Sequence, residues 1–149
     1  MDYLKLRGVT ETPLKIINNP SGDILHGMKQ SDLGFEDFGE AYFSCVNSKQ
    51  VKAWTRHSLM TLNLLVPSGK VLIVIYDDDP ESESFGLFHE VSLSLENYKR
   101  LTIKPGLWVG YKGLGNGKNL ILNIADFEHD ENEMQKRDTN SIDYNWNKL

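Results

Sequence analysis

A single cysteine, Cys45, stands in the 149 residues. An intrachain disulfide is therefore excluded, and so is a zinc site built from several cysteines. No apolar run approaches the roughly 18 residues that a membrane-spanning helix needs. The opening MDYLKLRGVTETP lacks the apolar stretch of a signal peptide, so the chain is expected to be cytoplasmic. A broad basic surface is missing too. The net charge of −5 argues against a nucleic-acid partner. With 40% hydrophobic and 25% charged residues, the composition excludes disorder for most of the chain. The length suits one domain, taken as residues 1–149.

The most informative absence is local. The 36 residues from Ala41 to Tyr76 contain no acid, yet they carry Lys49, Lys52, Arg56, His57 and Lys70. Local potential in a cleft depends on nearby charges more than on the total, so an acidic protein can still bind a small anion there. A core strand pair without room for carboxylates would read the same way, and both readings stay open. In contrast, 126–143 is crowded with acids: Asp126, Glu128, Asp130, Glu131, Glu133, Asp138 and Asp143.

What is present is β punctuation. Turn signals recur at Asn19–Gly22, Pro67–Gly69, Asp78–Pro80, Lys104–Gly106 and Gly113–Gly117. Between them lie short runs rich in β-branched and aromatic residues: Tyr42–Val46, Lys52–His57, Thr61–Val66, Lys70–Asp77, Phe88–Leu93, Arg100–Ile103, Leu107–Tyr111 and Asn119–Ala125. This spacing predicts an all-β sandwich or barrel. Helical pattern is confined to the short Ser94–Lys99 and to Asp130–Arg137, polar all round.

Alternation points to a polar pocket. Thr61 and Asn63 share the parity of His57, opposite Leu62 and Leu64; Asn119 and Asn123 lie opposite Leu120, Leu122 and Ile124. Amides and a histidine on one strand face suit a cavity that must be polar without fixed charge, although such amides also serve to tie down loops. His57 is the natural general acid or base, because histidine's ordinary pKa lies near neutrality. Tyr111, beside Gly110 and the Gly113 turn, can offer a hydroxyl at a pocket mouth. Trp54, Trp108, Tyr42 and Phe43 are candidates for its walls. The four histidines show neither HxH nor HxxxH spacing, and there is no CxxC, so neither a metal nor a cofactor is expected. The run Asp77-Asp78-Asp79 lacks the spacing of a calcium loop and reads as an acidic turn.

The order of motifs is distinctive. Pro67-Ser-Gly-Lys-Val-Leu-Ile-Val-Ile-Tyr-Asp77 is followed by Ser82–Gly86, then Val91–Asn97, then Leu101-Thr-Ile-Lys-Pro-Gly-Leu-Trp108. This resembles the dTDP-4-dehydrorhamnose 3,5-epimerase family, a branch of the cupins, over residues 18–146. The resemblance implies a jelly-roll β-barrel with only short helical segments. It implies a homodimer, and a pocket inside the barrel for a nucleoside-diphosphate 4-keto-6-deoxyhexose. It also implies the activity: epimerisation at C3, C5 or both, in surface-glycan (O-antigen) biosynthesis. Alternatives are a sugar 3,4-ketoisomerase and a non-catalytic nucleotide-sugar-binding cupin.

The site residues depart from the family. The family's histidine base falls on Thr55, and His57 lies two residues on. Lys52 takes the place of the arginine that meets the diphosphate. The family's tyrosine acid falls near Leu122. The aspartate that orients the base belongs to a C-terminal segment this chain is expected to lack. A second histidine is replaced within Gly106-Leu-Trp-Val109, and an early acid becomes His26. The expected set is thus His57 as base with Tyr111, or Tyr42, as acid. Asn63 or Asn123 would donate to an enolate oxygen. Lys52, Lys29 or Arg56 would bind the diphosphate, with His26 and Trp108 completing the pocket.

Overall fold

The computed structural model describes residues 6–149; the opening Met1–Lys5, read above for a leader, lies outside them. The fold is almost wholly β. In chain order the strands are β1 (Val9–Pro13), β2 (Ile16–Ile17), β3 (Ile24–Leu25), β4 (Glu40–Val46), β5 (Val51–His57), β6 (Leu62–Ser68), β7 (Val71–Tyr76), β8 (Phe88–Leu93), β9 (Lys99–Ile103), β10 (Trp108–Gly113), β11 (Asn119–Ala125) and β12 (Met134–Lys136). Two five-stranded antiparallel sheets face each other. Sheet one runs β1-β9-β6-β11-β4, and sheet two runs β12-β5-β10-β7-β8. β2 and β3 form a separate two-stranded hairpin. This is the jelly-roll barrel of the cupins.

Every run expected to be a strand is one. The polar Asp130–Arg137 differs. It forms one 3-10 turn, Glu131–Glu133, and then β12, because the edge of β5 offers it backbone partners. The expected short helix at Ser94–Lys99 is instead a tight turn, closed by the Asn97 amide on the Ser94 carbonyl, with Lys99 already in β9. Among the described residues, no helix is long and apolar enough to cross a membrane.

Two hydrophobic clusters explain the uninterrupted apolar run of β7. Val71, Ile73 and Ile75 point into the barrel beside Leu64, Val66, Leu101, Ile103 and Ile121. Leu72 and Val74 point outward, where Trp54, Trp108, Ile142 and Trp146 cover them. Each such side chain contributes about 1.5–3 kcal/mol when fully buried. Gly110 lets the outer cluster close, since a Cβ there would come within 2.8 Å of the Trp146 ring. The acidic turn after β7 is a structural device, in which the buried Asp77 accepts hydroxyl hydrogen bonds from Ser82 (2.5 Å) and Ser84 (2.6 Å).

A bulge in β5 sets the site. Val109 pairs with Thr55 but Gly110 pairs with Ala53, so Trp54 is the extra residue. Strict alternation would put Lys52 on the face of Arg56, away from His57. The bulge reverses that, and Lys52, Thr55 and His57 all line the barrel interior.

Candidate active site

Between the sheets lies a cavity of about 530 Å³. β5 and β10 of sheet two bring Lys52, Thr55, His57, Val109 and Tyr111 to it. β4 and β11 of sheet one bring Tyr42, Ser44, Ile121 and Asn123. The segment from His129 through β12 covers one side with His129, Met134, Lys136 and Arg137. The β12–β5 register sets Met134 opposite His57 and Lys136 opposite Thr55.

His57 is buried, and its Nδ1 is hydrogen-bonded to Glu133 Oε1. The other carboxylate oxygen, Oε2, accepts the backbone amides of Leu59 (3.0 Å) and Met60 (3.2 Å). Burial acts to raise the Glu133 pKa. The hydrogen bond from His57, the two amides and the His57 charge outweigh it, so the carboxyl lies below its ordinary range. An ionised carboxylate only accepts hydrogen bonds, so Nδ1 carries the proton and Nε2 is the nitrogen left for the cavity. A carboxylate from the segment after β11, Glu133, therefore stands against the His57 imidazole. Nothing local in the acidic run sets Glu133 apart from Glu128 or Glu131; only its 4% exposure does.

Of the other expected site residues, Tyr111, Lys52 and Asn123 line the cavity. Tyr111 stands on β10, beside β5 and thus on the same wall as His57. Burial first, and then neighbouring Tyr42, push its phenol well above the ordinary range. The Lys52 ammonium donates to the Cys45 carbonyl at 3.0 Å. Tyr42 faces the cavity from the opposite wall, and its oxygen accepts Asn123 Nδ2–H at 3.1 Å.

Five expected residues lie elsewhere. Asn63 sits on the outer face of sheet one, where its side chain meets the Gly34 carbonyl (3.2 Å) and the Thr102 hydroxyl (2.6 Å). A turn at residues 58–61 separates β5 from β6, so parity does not carry across, and Leu62 and Leu64 face the cavity instead. Arg56 and Trp108 are on the outer face of sheet two. There the Arg56 guanidinium stacks 4.6 Å from the Trp108 ring and pairs with Asp78 at 3.0 Å. His26 and Lys29 lie beyond the β2–β3 hairpin. The His26 carbonyl accepts the Tyr98 hydroxyl, and the Lys29 amide is capped by Asp32. Leu122, near which the resemblance puts the family's tyrosine, alternates away from the cavity that Ile121 and Asn123 face. The cavity cation missed in the sequence, Lys136, lies inside the acidic stretch, on a strand whose state only pairing reveals. The neighbouring Arg137 turns its guanidinium to the outer face, 4.7 Å from the Trp108 ring and 3.5 Å from Asp78.

A jelly roll that encloses a polar cavity, with a carboxylate-held imidazole on one wall, is a cupin built to act on a small molecule inside the barrel. No family model matches the chain. It is similar to a dTDP sugar isomerase from Desulfovibrio desulfuricans G20, with 34% identity and a TM-score of 0.92, over 96% of this chain and 93% of that one. It is also similar to a probable low-salt glycan biosynthesis epimerase, Agl13, of Haloferax volcanii. That match is 29% identical over 112 residues, 72% of each chain. The dTDP-4-dehydrorhamnose 3,5-epimerase of Sulfolobus tokodaii shares the fold at 19% identity, with a TM-score of 0.82 over 95% of this chain and 84% of that one. The chain belongs to this family of dTDP-sugar epimerases and isomerases.

Proposed function

We propose that the protein epimerises a nucleoside-diphosphate 4-keto-6-deoxyhexose at C3, C5 or both, in the biosynthesis of a surface glycan. The observation that carries this reading is the His57–Glu133 pair inside the barrel. A ketone at C4 acidifies the neighbouring C–H bonds. His57 Nε2, with Nδ1 held by Glu133, takes one of these protons and leaves an enolate. Glu133 stabilises the imidazolium so formed. A donor on the opposite wall then returns a proton to the other face, which inverts the centre. Lys52 and Lys136, cavity-lining cations near Thr55, suit the diphosphate and favour negative charge in the bound ligand.

A buried carboxylate–imidazole pair facing a cavity favours catalysis over ligand binding alone, because such pairs are where perturbed titration serves chemistry. We infer a cytoplasmic reaction, a compartment in which an exposed free thiol such as Cys45 stays reduced. The working unit is a homodimer. Its support is β4, an edge strand of sheet one that exposes Phe43 (62%), an apolar edge of the kind that pairs with another chain.

The test is solvent deuterium exchange into dTDP-4-keto-6-deoxyglucose followed by NMR. Deuterium enters C3 or C5 with the native protein and not with His57→Asn. Tight binding of the nucleotide sugar without exchange refutes catalysis on that substrate.

A further inference from the structure

Inversion needs two proton-handling groups on opposite sides of the sugar ring. His57 is on β5, and Tyr111 is on the adjoining β10 of the same sheet, so both reach the cavity from one wall. Tyr42, on β4, reaches it from the facing sheet. Hydrogen-bond bookkeeping then fixes where the Tyr42 proton points. Asn123 is 1% exposed, and its Oδ1 accepts the backbone amide of Asn63 at 3.1 Å. That backbone N–H can only donate, so the Asn123 amide cannot turn over without setting donor against donor. Its Nδ2 must therefore face Tyr42, to whose oxygen it donates at 3.1 Å, with Met60 Sδ at 3.9 Å as a second acceptor. Tyr42 accepts there, and its own O–H is left free for the cavity.

We propose that Tyr42 is the catalytic proton donor to the sugar face opposite His57, and that Asn123 is the residue that positions it. This rests on the epimerase reading above. In the step, a carbon next to the ketone loses its proton to His57 Nε2, and its bonding pair becomes the enolate. The enolate re-forms the ketone as its carbon takes the Tyr42 hydroxyl proton from the other side. The phenolate left behind is stabilised by the Asn123 N–H, and the imidazolium by Glu133. Tyr42 is 40% exposed, so water can return its proton and remove the one on His57. Tyr111 suits this task less, since burial disfavours its phenolate.

The experiment follows dTDP-4-keto-6-deoxyglucose by NMR in D2O and reads exchange and inversion separately. The native protein is expected to give inverted sugar carrying deuterium. In Tyr42→Phe, His57 still exchanges the proton on its own face. Deuterium then washes into sugar of unchanged configuration, while inversion falls by at least about 100-fold, the usual contribution of a positioned acid. Asn123→Asp, whose carboxylate would accept the Tyr42 proton, is expected to give the same split, which a merely structural role would not. Tyr111→Phe is followed in parallel, because Tyr111, on the wall of His57, is the competing donor. The assignment is overturned if Tyr42→Phe inverts at close to the native rate, or if Tyr111→Phe alone loses inversion and keeps wash-out. Absence of any exchange in the native protein refutes the epimerase reading itself, and the assignment falls with it. Thermal unfolding of each variant identifies any that fails to fold; the other two then decide.

Discussion

Replacing Glu133 by glutamine tests the centre of the mechanism. The carboxylate accepts three hydrogen bonds, one from His57 Nδ1 and one each from the Leu59 and Met60 amides. A carboxamide offers one oxygen and one NH2 group in the same space. If its NH2 group faced the two amides, the buried Met60 donor would be unpaired at about 1–3 kcal/mol, and the partly buried Leu59 donor would lose its partner too. Turning the oxygen to the amides avoids that, and then the NH2 group faces His57. The imidazole must answer by accepting at Nδ1, which moves its proton to Nε2. The base nitrogen in the cavity is thereby occupied. The expected result is a fall of about 10²–10⁴-fold in proton exchange, the range for loss of general base catalysis. Stability should fall by only about 1.5–3 kcal/mol, the size of one hydrogen bond to a charged group. Deuterium wash-in read by NMR gives the first quantity and denaturant unfolding the second. Ring-nitrogen shifts of His57 report the tautomer directly. If Glu133→Gln exchanges protons near the native rate while His57 keeps its Nδ1–H, Glu133 does not set the base.

The same carboxyl predicts an acid limb in stability. Its folded pKa lies below the ordinary 4.5, so its contribution is full above that value and is lost as pH falls through the lower folded value. Unfolding curves below pH 4.5 should therefore steepen in the native protein more than in Glu133→Gln, and equal slopes would count against the pairing. Lys52→Ala should weaken nucleotide-sugar binding by about 1.5–3 kcal/mol, more at low salt than at high, as read by calorimetry. An unchanged Kd removes Lys52 from the diphosphate site. Asn63→Ala, which leaves the Gly34 carbonyl and Thr102 hydroxyl without that partner, should lower stability by about 1–3 kcal/mol and leave KM unaltered. A raised KM with unchanged stability would return Asn63 to the substrate.

Much of the barrel was legible because turns punctuate it. Pro67-Ser-Gly69 and Lys104-Pro-Gly106 bound apolar runs too short for helices, so β6, β7, β9 and β10 follow from local pattern. Four strands escaped the pattern: β2 and β3, at two residues each, are too short to show alternation, and β1 and β12 are polar and short. Val9-Thr-Glu-Thr-Pro13 and Met134-Gln-Lys136 become strands through pairing with β9 and β5, a property of the neighbour rather than of the residues.

For the site, residue type and neighbourhood could nominate His57, Lys52, Tyr42, Tyr111 and Asn123, because chemistry limits which side chains move protons or bind phosphate. Which of them face one cavity was a matter of long-range register. One inserted residue at Trp54 brings Lys52 to the side of His57. A turn between β5 and β6 sends Asn63 to the outside. Glu133, 76 residues from His57, looked like one acid among seven until the fold buried it against the imidazole. Local sequence encodes strands and candidate chemistry through short-range periodicity. Distance and facing are settled by contacts between residues far apart in the chain, and those exist only once the two sheets have packed.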